Sequence, residues 1–529
     1  MRKVIFLFAL LASLTATAQD EEFLPIKGDC LPPPAVDDVA MARSVATPRR
    51  LLSVQTNWDS TRIYRQLVIL VSFKGDSTYF KTENPREFYH RMLNESGFNQ
   101  RNGKGCLAEY FHDQSRGMLH LQFDVYGPYA VDQKAQPYSS PTSETKNYGR
   151  DAMTAATKMF LAENPEIDFS QYDWNGNGKV NQVIYVFAGY GGNVNGSIDT
   201  NGYLWPNTSS FSSITTPDGK KISEYSSSAE LWPTKSTNSC GFATIAHEFT
   251  HSLGLPDIYP TVNSGEYSIC DEWDLMDGGN FTNYGWCPPN YTALERYVLG
   301  WLDFVDLTEP TTITGMKPVE EGGVVYRIKH SDSEWLLLEN RQQRGWDFAA
   351  PGKGLVVYHV NYDKAVWAGN TVNNDPSKHR FDLIHADNQD YDDWYDYLIA
   401  SGASSAYQHA TKINSWILST SPYPWATDSS AFVNDELTDV STPAAQMFYP
   451  NLEGEMAFGK PITGITMSED GLISFDFMGG DDTAVEAIRQ QQSGSAQFFD
   501  LTGRRLSSAP SSRVYIIRGI DGKVRKVLP

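Results

Sequence analysis

The stretch "HEFTHSLGLPD", residues 247 to 257, constrains the fold of this chain more than any other. Two histidines four positions apart face the same way only on an α-helix, where four residues make about one turn. Apolar residues at 242, 245, 246, 249 and 253 continue that period, so the segment predicts an amphipathic helix. On such a helix His247 and His251 can both reach one zinc ion, at about 2.0–2.1 Å. Glu248 lies beside the first of them, where it can touch a water held by the metal without ligating the metal itself. Gly254 tolerates positive φ and lets the chain turn. Asp257 can then return a carboxylate to the same ion. Zinc accepts any carboxylate, so Glu266, Glu272 and Glu295 stand as alternatives for the third position. A helix whose histidines only cap or pack is the plain alternative to a metal site.

A chain of 529 residues is too long for one core, and two or three domains are expected. With 40% hydrophobic and 13% aromatic residues it is globular and not disordered. The net charge of −21 excludes a general nucleic-acid binder, which needs a basic surface. At the N-terminus, Arg2 and Lys3 precede a short apolar run, Val4 to Leu14, and the small residues Ala16-Thr17-Ala18. That is the pattern of a signal peptide over 1–18, with Gln19 as the mature start and a secreted or cell-surface protein as the consequence. The run is too short to span a bilayer, and no later segment is long and apolar enough.

Residues 19–62, with "LPPPAVDD" and a dibasic "PRR" at 48–50, read as a propeptide or linker. The continuous apolar runs "QLVILVSF" from Gln66 and "VNQVIYVFAGYGG" from Val180 predict buried strands. Helices alternate with strands to about residue 305, which sets off an α/β or α+β unit over 63–305. From there to 480 the pattern is strand-rich: "GVVYRIKH", "EWLLLENR", "GLVVYHVNY" and "GLISFDF". "RQQQSGSA" reads as a linker, and Ala484 to Pro529 carries eight Arg or Lys against three Asp or Glu, a basic tail on an acidic chain. Residues 481–529 therefore form a linker and a separate small module.

Downstream of the histidine helix, "WDLMDGG" places Met276 in a tight turn. Metzincin-type enzymes put a methionine turn beneath the zinc; a core methionine beside a surface turn is the alternative. Taken together, "HEFTHSLGLPDIY", "WDLMDGGNF" and "ERYVLGWL" resemble the immune inhibitor A family of secreted metallopeptidases. The likeness extends over roughly 64 to 480, through "LVILVSF", "EYFHDQSRGMLHL" and "LLLENRQQRGWD". It implies an α+β fold, a zincin or metzincin-like catalytic domain followed by a β-rich domain and a small C-terminal β module. It implies endopeptidase activity on protein or peptide substrates, with His247, His251 and Asp257 as zinc ligands and Glu248 as the catalytic residue. Some metzincins carry a Tyr two residues after the turn methionine; here that residue is Gly278. The oxyanion-stabilising residue is thus unassigned, with Tyr259, Tyr267 and Tyr284 as the choices. A secreted binding protein or adhesin with a vestigial zincin domain is the rival reading, opposed by the intact Glu248 and ligand set.

Three further features carry expectations. In "DWNGNGKVN", Asp173, Asn175, Asn177, Lys179 (through its carbonyl) and Asn181 match the first nine positions of a calcium loop. Position twelve is Ile184 rather than a bidentate Glu, and a polar hairpin turn uses the same residues. The tail "FFDLTGRRL…RVYIIRGIDGKVRKV" resembles the C-terminal sorting domain of type IX secretion cargo, which implies a secretion machinery as partner; a small β-domain stacked on its neighbour is the alternative. Of the five cysteines, Cys270 and Cys287 are the closest in sequence and could staple a loop, or be buried thiols. Cys30, in "KGDCLPPP", is a candidate latency switch: a thiolate on the open zinc position would keep a zymogen silent until cleavage near Arg50.

Overall fold

The computed structural model describes residues 58–137, 143–193, 202–233, 238–261, 268–389, 418–427 and 433–480, with four short strands between 497 and 527. The first unit is built on a five-stranded sheet of β1 (Ile63–Phe73), β2 (His120–Val131), β3 (Val183–Tyr190), β4 (Thr208–Thr215) and β5 (Lys221–Leu231). Its order is β2-β1-β3-β5-β4, parallel throughout except for β4, which runs antiparallel along the edge. Along β1, Leu67, Ile69, Val71 and Phe73 pack with Ala152, Met153, Ala156 and Phe160 of helix α3 (Ser143–Glu163). Val68 and Leu70 point the other way, into a core shared with α1 (Pro85–Asn94), α2 (Leu107–Gln114) and α4 (Ala243–Leu253). A strand covered on both faces needs a near-continuous apolar run, which "LVILVSF" supplies with Ser72 as its one polar residue. Helix α2 starts on a capping box in which the Cys106 thiol accepts the Glu109 N–H and the Glu109 carboxylate accepts the Cys106 N–H.

A short helix, α5 (Ala293–Val298), leads into the strand-rich region. Strands β6 (Phe304–Asp306), β8 (Val325–Lys329), β9 (Glu334–Arg341), β10 (Gly354–Asn361) and β11 (Phe381–Ile384) form a second sheet, ordered β11-β10-β9-β8-β6. Between β10 and β11 the chain makes the short helix α6 (Lys364–Ala368). Strand β7 (Thr311–Met316) joins β15 (Ile473–Phe477) and β14 (Ile462–Met467) in a third sheet, and β12 (Trp425–Ala426) pairs with β13 (Val433–Asn434). In the tail, β16 (Gln497–Phe499), β17 (Arg505–Leu506), β18 (Tyr515–Arg518) and β19 (Val524–Val527) form a four-stranded sheet. The architecture is a mixed α/β unit followed by a β-rich region, the coarse form of the α+β expectation.

The core does not stop at residue 305. Every residue of β9 and β10 is buried. Trp335, Leu337, Val356, Tyr358 and Val360 face the core that contains Phe249, Leu255 and Ile258, while Leu336, Leu338, Leu355 and Val357 face a separate core with β14 and β15. The second sheet is therefore a wall of the first unit's core on one face and of a separate core on the other. Among the described residues no helix is long and apolar enough to cross a membrane.

The cysteines correct one expectation. Cys106, Cys240, Cys270 and Cys287 are free thiols, so the Cys270–Cys287 staple does not form. The Cys287 sulfur instead lies 3.3 Å from the Trp346 carbonyl, and Cys270 is fully buried in the core, where burial holds it in the thiol form. Cys30, residues 1–18 read as a signal peptide from the sequence, and the rest of 1–57 lie outside the described residues.

Candidate metal centre

Helix α4 ends at Gly254, whose φ of 103° is left-handed and turns the chain back toward the helix. Ile245, Ala246, Phe249 and Leu253 fill the core, with the Phe249 ring 5.2 Å from Phe111 and 6.1 Å from Trp174. The opposite, polar face differs from the amphipathic expectation. His247, Glu248, Thr250 and His251 are buried too, because β4, β5 and the segment Gly279–Gly285 cover them. A helix polar on one side but buried all round must spend those polar groups on each other.

His247 and His251 do so in the same way. The Nδ1 of His247 bonds the Leu275 carbonyl at 2.7 Å, and the Nδ1 of His251 bonds the Leu255 carbonyl at 2.9 Å. A carbonyl only accepts, so each Nδ1 carries a hydrogen and each Nε2 is the nitrogen left to face Asp257. Both Nε2 atoms lie 3.2 Å from one oxygen, Oδ1 of Asp257. Among the described residues, these three are the one group of His, Cys, Asp or Glu with ligand atoms that close together, all within 4.8 Å. Burial disfavours a charged His247, but Asp257, Glu248 and the Leu275 carbonyl outweigh it and raise its pKa to about 9. Burial likewise opposes ionisation of Asp257, yet the two imidazoles hold its carboxyl well below the usual range. Two imidazole nitrogens oriented from behind by carbonyls, with one carboxylate, are a donor set that fits zinc, which would take the place of the proton His247 holds.

The turn carrying Met276 backs this cluster through its main chain. Leu275 supplies the carbonyl for His247, and the Met276 carbonyl accepts the Ile258 N–H at 2.8 Å, tying the residue next to Asp257. Met276 itself is fully buried in the core. The turn is held by Asp277, whose Oδ2 accepts the N–H groups of Ile269, Cys270 and Asp271 at 2.9, 2.8 and 3.0 Å. Its Oδ1 accepts the Ser268 hydroxyl. Asp271 adopts a left-handed φ of 50°, which curls successive N–H groups around the carboxylate.

Two contacts have no counterpart in the sequence motifs. The Thr208 hydroxyl, on edge strand β4, lies 2.6 Å from Oε2 of Glu248 and 2.6 Å from its carbonyl. Asn370, just after α6, donates its amide N–H to Oδ2 of Asp257 at 2.7 Å and accepts the Asp257 N–H at 2.6 Å. No local pattern could have found either, since they lie 40 and 113 residues from their partners.

The other residues singled out from the sequence sit elsewhere. Glu295 closes the cap of α5, accepting the Thr292 N–H and hydroxyl, and burial pushes its carboxyl up to about 7. Glu272 is on the turn Asp271–Trp273, outside the cluster. Glu266 and Tyr267 lie outside the described residues. The Tyr259 ring is nearly parallel to His247 at 6.4 Å, whereas Tyr284 packs on Trp232 at 5.7 Å. In the loop after residue 172, Asp173 accepts the N–H groups of Asn177 and Gly178, and Lys220 places its ammonium 3.0 Å from Asp173 Oδ2. Asn177 accepts the Lys179 N–H and Asn181 accepts the Trp174 N–H, so these oxygens serve the turn; Asn175 is exposed at its tip.

Part of the chain is similar to known proteins. Residues 67–297 match the family described as immune inhibitor A peptidase M6, catalytic domain, which supports a peptidase unit over that part of the chain. Among curated proteins, the chain is 23% identical over 257 residues to immune inhibitor A of Bacillus thuringiensis subsp. alesti, covering 42% of this chain and 37% of that protein. It is 21% identical over 245 residues to pre-pro-metalloprotease PrtV of Vibrio cholerae serotype O1 (strain M66-2), covering 42% of this chain and 26% of that protein. The chain thus spans well under half the length of these relatives.

Proposed function

We propose that this chain is an exported zinc-dependent endopeptidase of zincin type, with His247, His251 and Asp257 as zinc ligands and Glu248 as general base. The observation that carries the reading is the convergence of two Nε2 atoms on one Asp257 oxygen, with both Nδ1 atoms already committed to carbonyls. Zinc, when bound there, polarises the scissile carbonyl and lowers the pKa of the attacking water. Glu248, next to His247 on α4 and bonded to Thr208, takes the water's proton and then delivers it to the leaving amine. Edge strand β4 carries Thr208 and, among the described residues, pairs with β5 alone, so an extended substrate can lie along its other side. The N-terminal segment directs export, and the basic tail serves as a sorting module. Calcium is left out of the proposal, because the Lys220 ammonium already neutralises Asp173.

The test is digestion of casein by purified protein, with and without a zinc chelator, alongside Glu248→Gln. Chelator-sensitive cleavage that Glu248→Gln abolishes while still binding zinc is the expected result. Full turnover by a zinc-loaded Glu248→Gln refutes the assignment of the base, and absence of cleavage both by the zinc-loaded parent and by a form starting near Leu51 favours a binding protein instead.

A further inference from the structure

We infer that Asn370 is a positioning residue of the metal centre, so the centre is completed by the strand-rich region and not by the peptidase unit alone; this rests on the zinc reading above. The family match ends at residue 297, and Asn370 lies well beyond it. Its side chain grips Asp257 twice, through the carboxylate and the backbone N–H, which fixes both the place and the rotation of the residue. A carboxylate with one oxygen hydrogen-bonded presents the other in a defined direction, and Oδ1 is the oxygen that faces both imidazoles.

The grip is part of a wider clamp. Asn373 donates to the Ile258 carbonyl at 2.9 Å, Asn374 accepts the Thr261 N–H at 2.7 Å, and the Thr261 hydroxyl donates to the Asn370 carbonyl at 2.8 Å. Trp367 and Val372, on either side of Asn370, are buried in the same core as Leu255 and Ile258. Asn370 has a left-handed φ of 54°, a conformation asparagine tolerates well. The amide is therefore held by packing before any ligand arrives, as an orienting group must be.

Zinc affinity, measured by competition with a chromophoric chelator, separates positioning from general support. Asn370→Gly keeps the left-handed turn and removes the amide; Asn374→Ala removes clamp bonds that do not touch Asp257. Asn370→Gly should weaken zinc binding about 10- to 100-fold with the one-to-one stoichiometry kept, while Asn374→Ala stays within about threefold of the parent. Asn370→Asp, nearly isosteric, keeps the acceptor and loses the donor, and the visible spectrum of its cobalt form should differ from the parent's. Equal zinc affinities in Asn370→Gly and Asn374→Ala, or parent-like affinity and cobalt spectrum in Asn370→Asp, overturn the inference. A parent that binds no zinc, or a His247→Ala variant that binds it as the parent does, overturns the metal reading instead.

Discussion

Asp277→Ala should be among the most damaging single substitutions in this protein, although the side chain touches no reacting group. Its carboxylate accepts three backbone N–H groups and one hydroxyl inside a site that is 2% exposed. Each hydrogen bond to a charged acceptor contributes about 1.5–3 kcal/mol, and buried donors left without a partner cost about 1–3 kcal/mol each. Three amides share one oxygen, so the terms do not add fully. A loss of about 4–6 kcal/mol follows, a large share of the 5–15 kcal/mol that holds a typical domain folded. Asp277→Asn keeps an acceptor oxygen and should lose only about 1–2 kcal/mol. Urea unfolding reads both: the midpoint should fall far more for Ala than for Asn, with similar slopes. Because the same turn supplies the Leu275 carbonyl to His247, zinc affinity should fall in parallel. An Asp277→Ala protein within about 1 kcal/mol of the parent would refute the reasoning, since the amides would then have found other partners.

Thr208→Val removes the hydroxyl beside Glu248 at nearly constant volume; kcat should fall about tenfold with KM and zinc content little changed, and an unchanged kcat removes Thr208 from the mechanism. Burial raises Glu295 to about 7, and burial with the Glu295 and Asp277 charges raises Asp274, so the pair keeps a proton that the unfolded chain has released. The folded state then binds more protons than the unfolded state from about pH 4 up to the raised pKa, and stability falls as pH rises through that window. Glu295→Gln should flatten the fall measured by thermal melting, and an unchanged slope would show that another group causes it. For latency, full-length protein should cleave casein more slowly than a form starting near Leu51. Activation of the full-length form by Cys30→Ser would assign the block to the thiol, and equal activity in all three would end the latency idea.

The readable parts of this molecule were those whose physics is local. A short run of branched apolar residues, as at Leu67 to Val71, suits a strand covered on both sides, and β1 is one. A four-residue His spacing can only converge on a helix, and the return of Asp257 needed only Gly254 to turn the chain. The alternating side-chain oxygens from Asp173 to Asn181 were ambiguous because a metal loop and a tight turn want the same residues. The Lys220 ammonium, which meets Asp173 in this structure, comes from just before β5 and far from the motif in sequence. Cys270 and Cys287 are near in sequence, but the sulfur of Cys287 faces the Trp346 carbonyl. What sequence could not express were backbone acceptors such as Leu275, which leave no residue signature, and long-range partners such as Thr208 and Asn370.

The wall that β10 and β11 form beside the histidine helix also sets a timetable. Val356, Tyr358, Phe381 and Leu383 belong to the core around Leu255 and Ile258, yet they follow Asp257 by about a hundred residues or more. At a synthesis rate of 5–20 residues per second, the stretch from Asp257 to Leu383 takes roughly 6 to 25 s to make. Throughout that interval the growing chain holds every residue of the histidine motif without the packing that sets them in place. A nascent chain of this kind therefore lacks the packing behind the His247–His251–Asp257 cluster whatever else it carries. The cluster is complete with the end of the strand-rich region rather than with the motif.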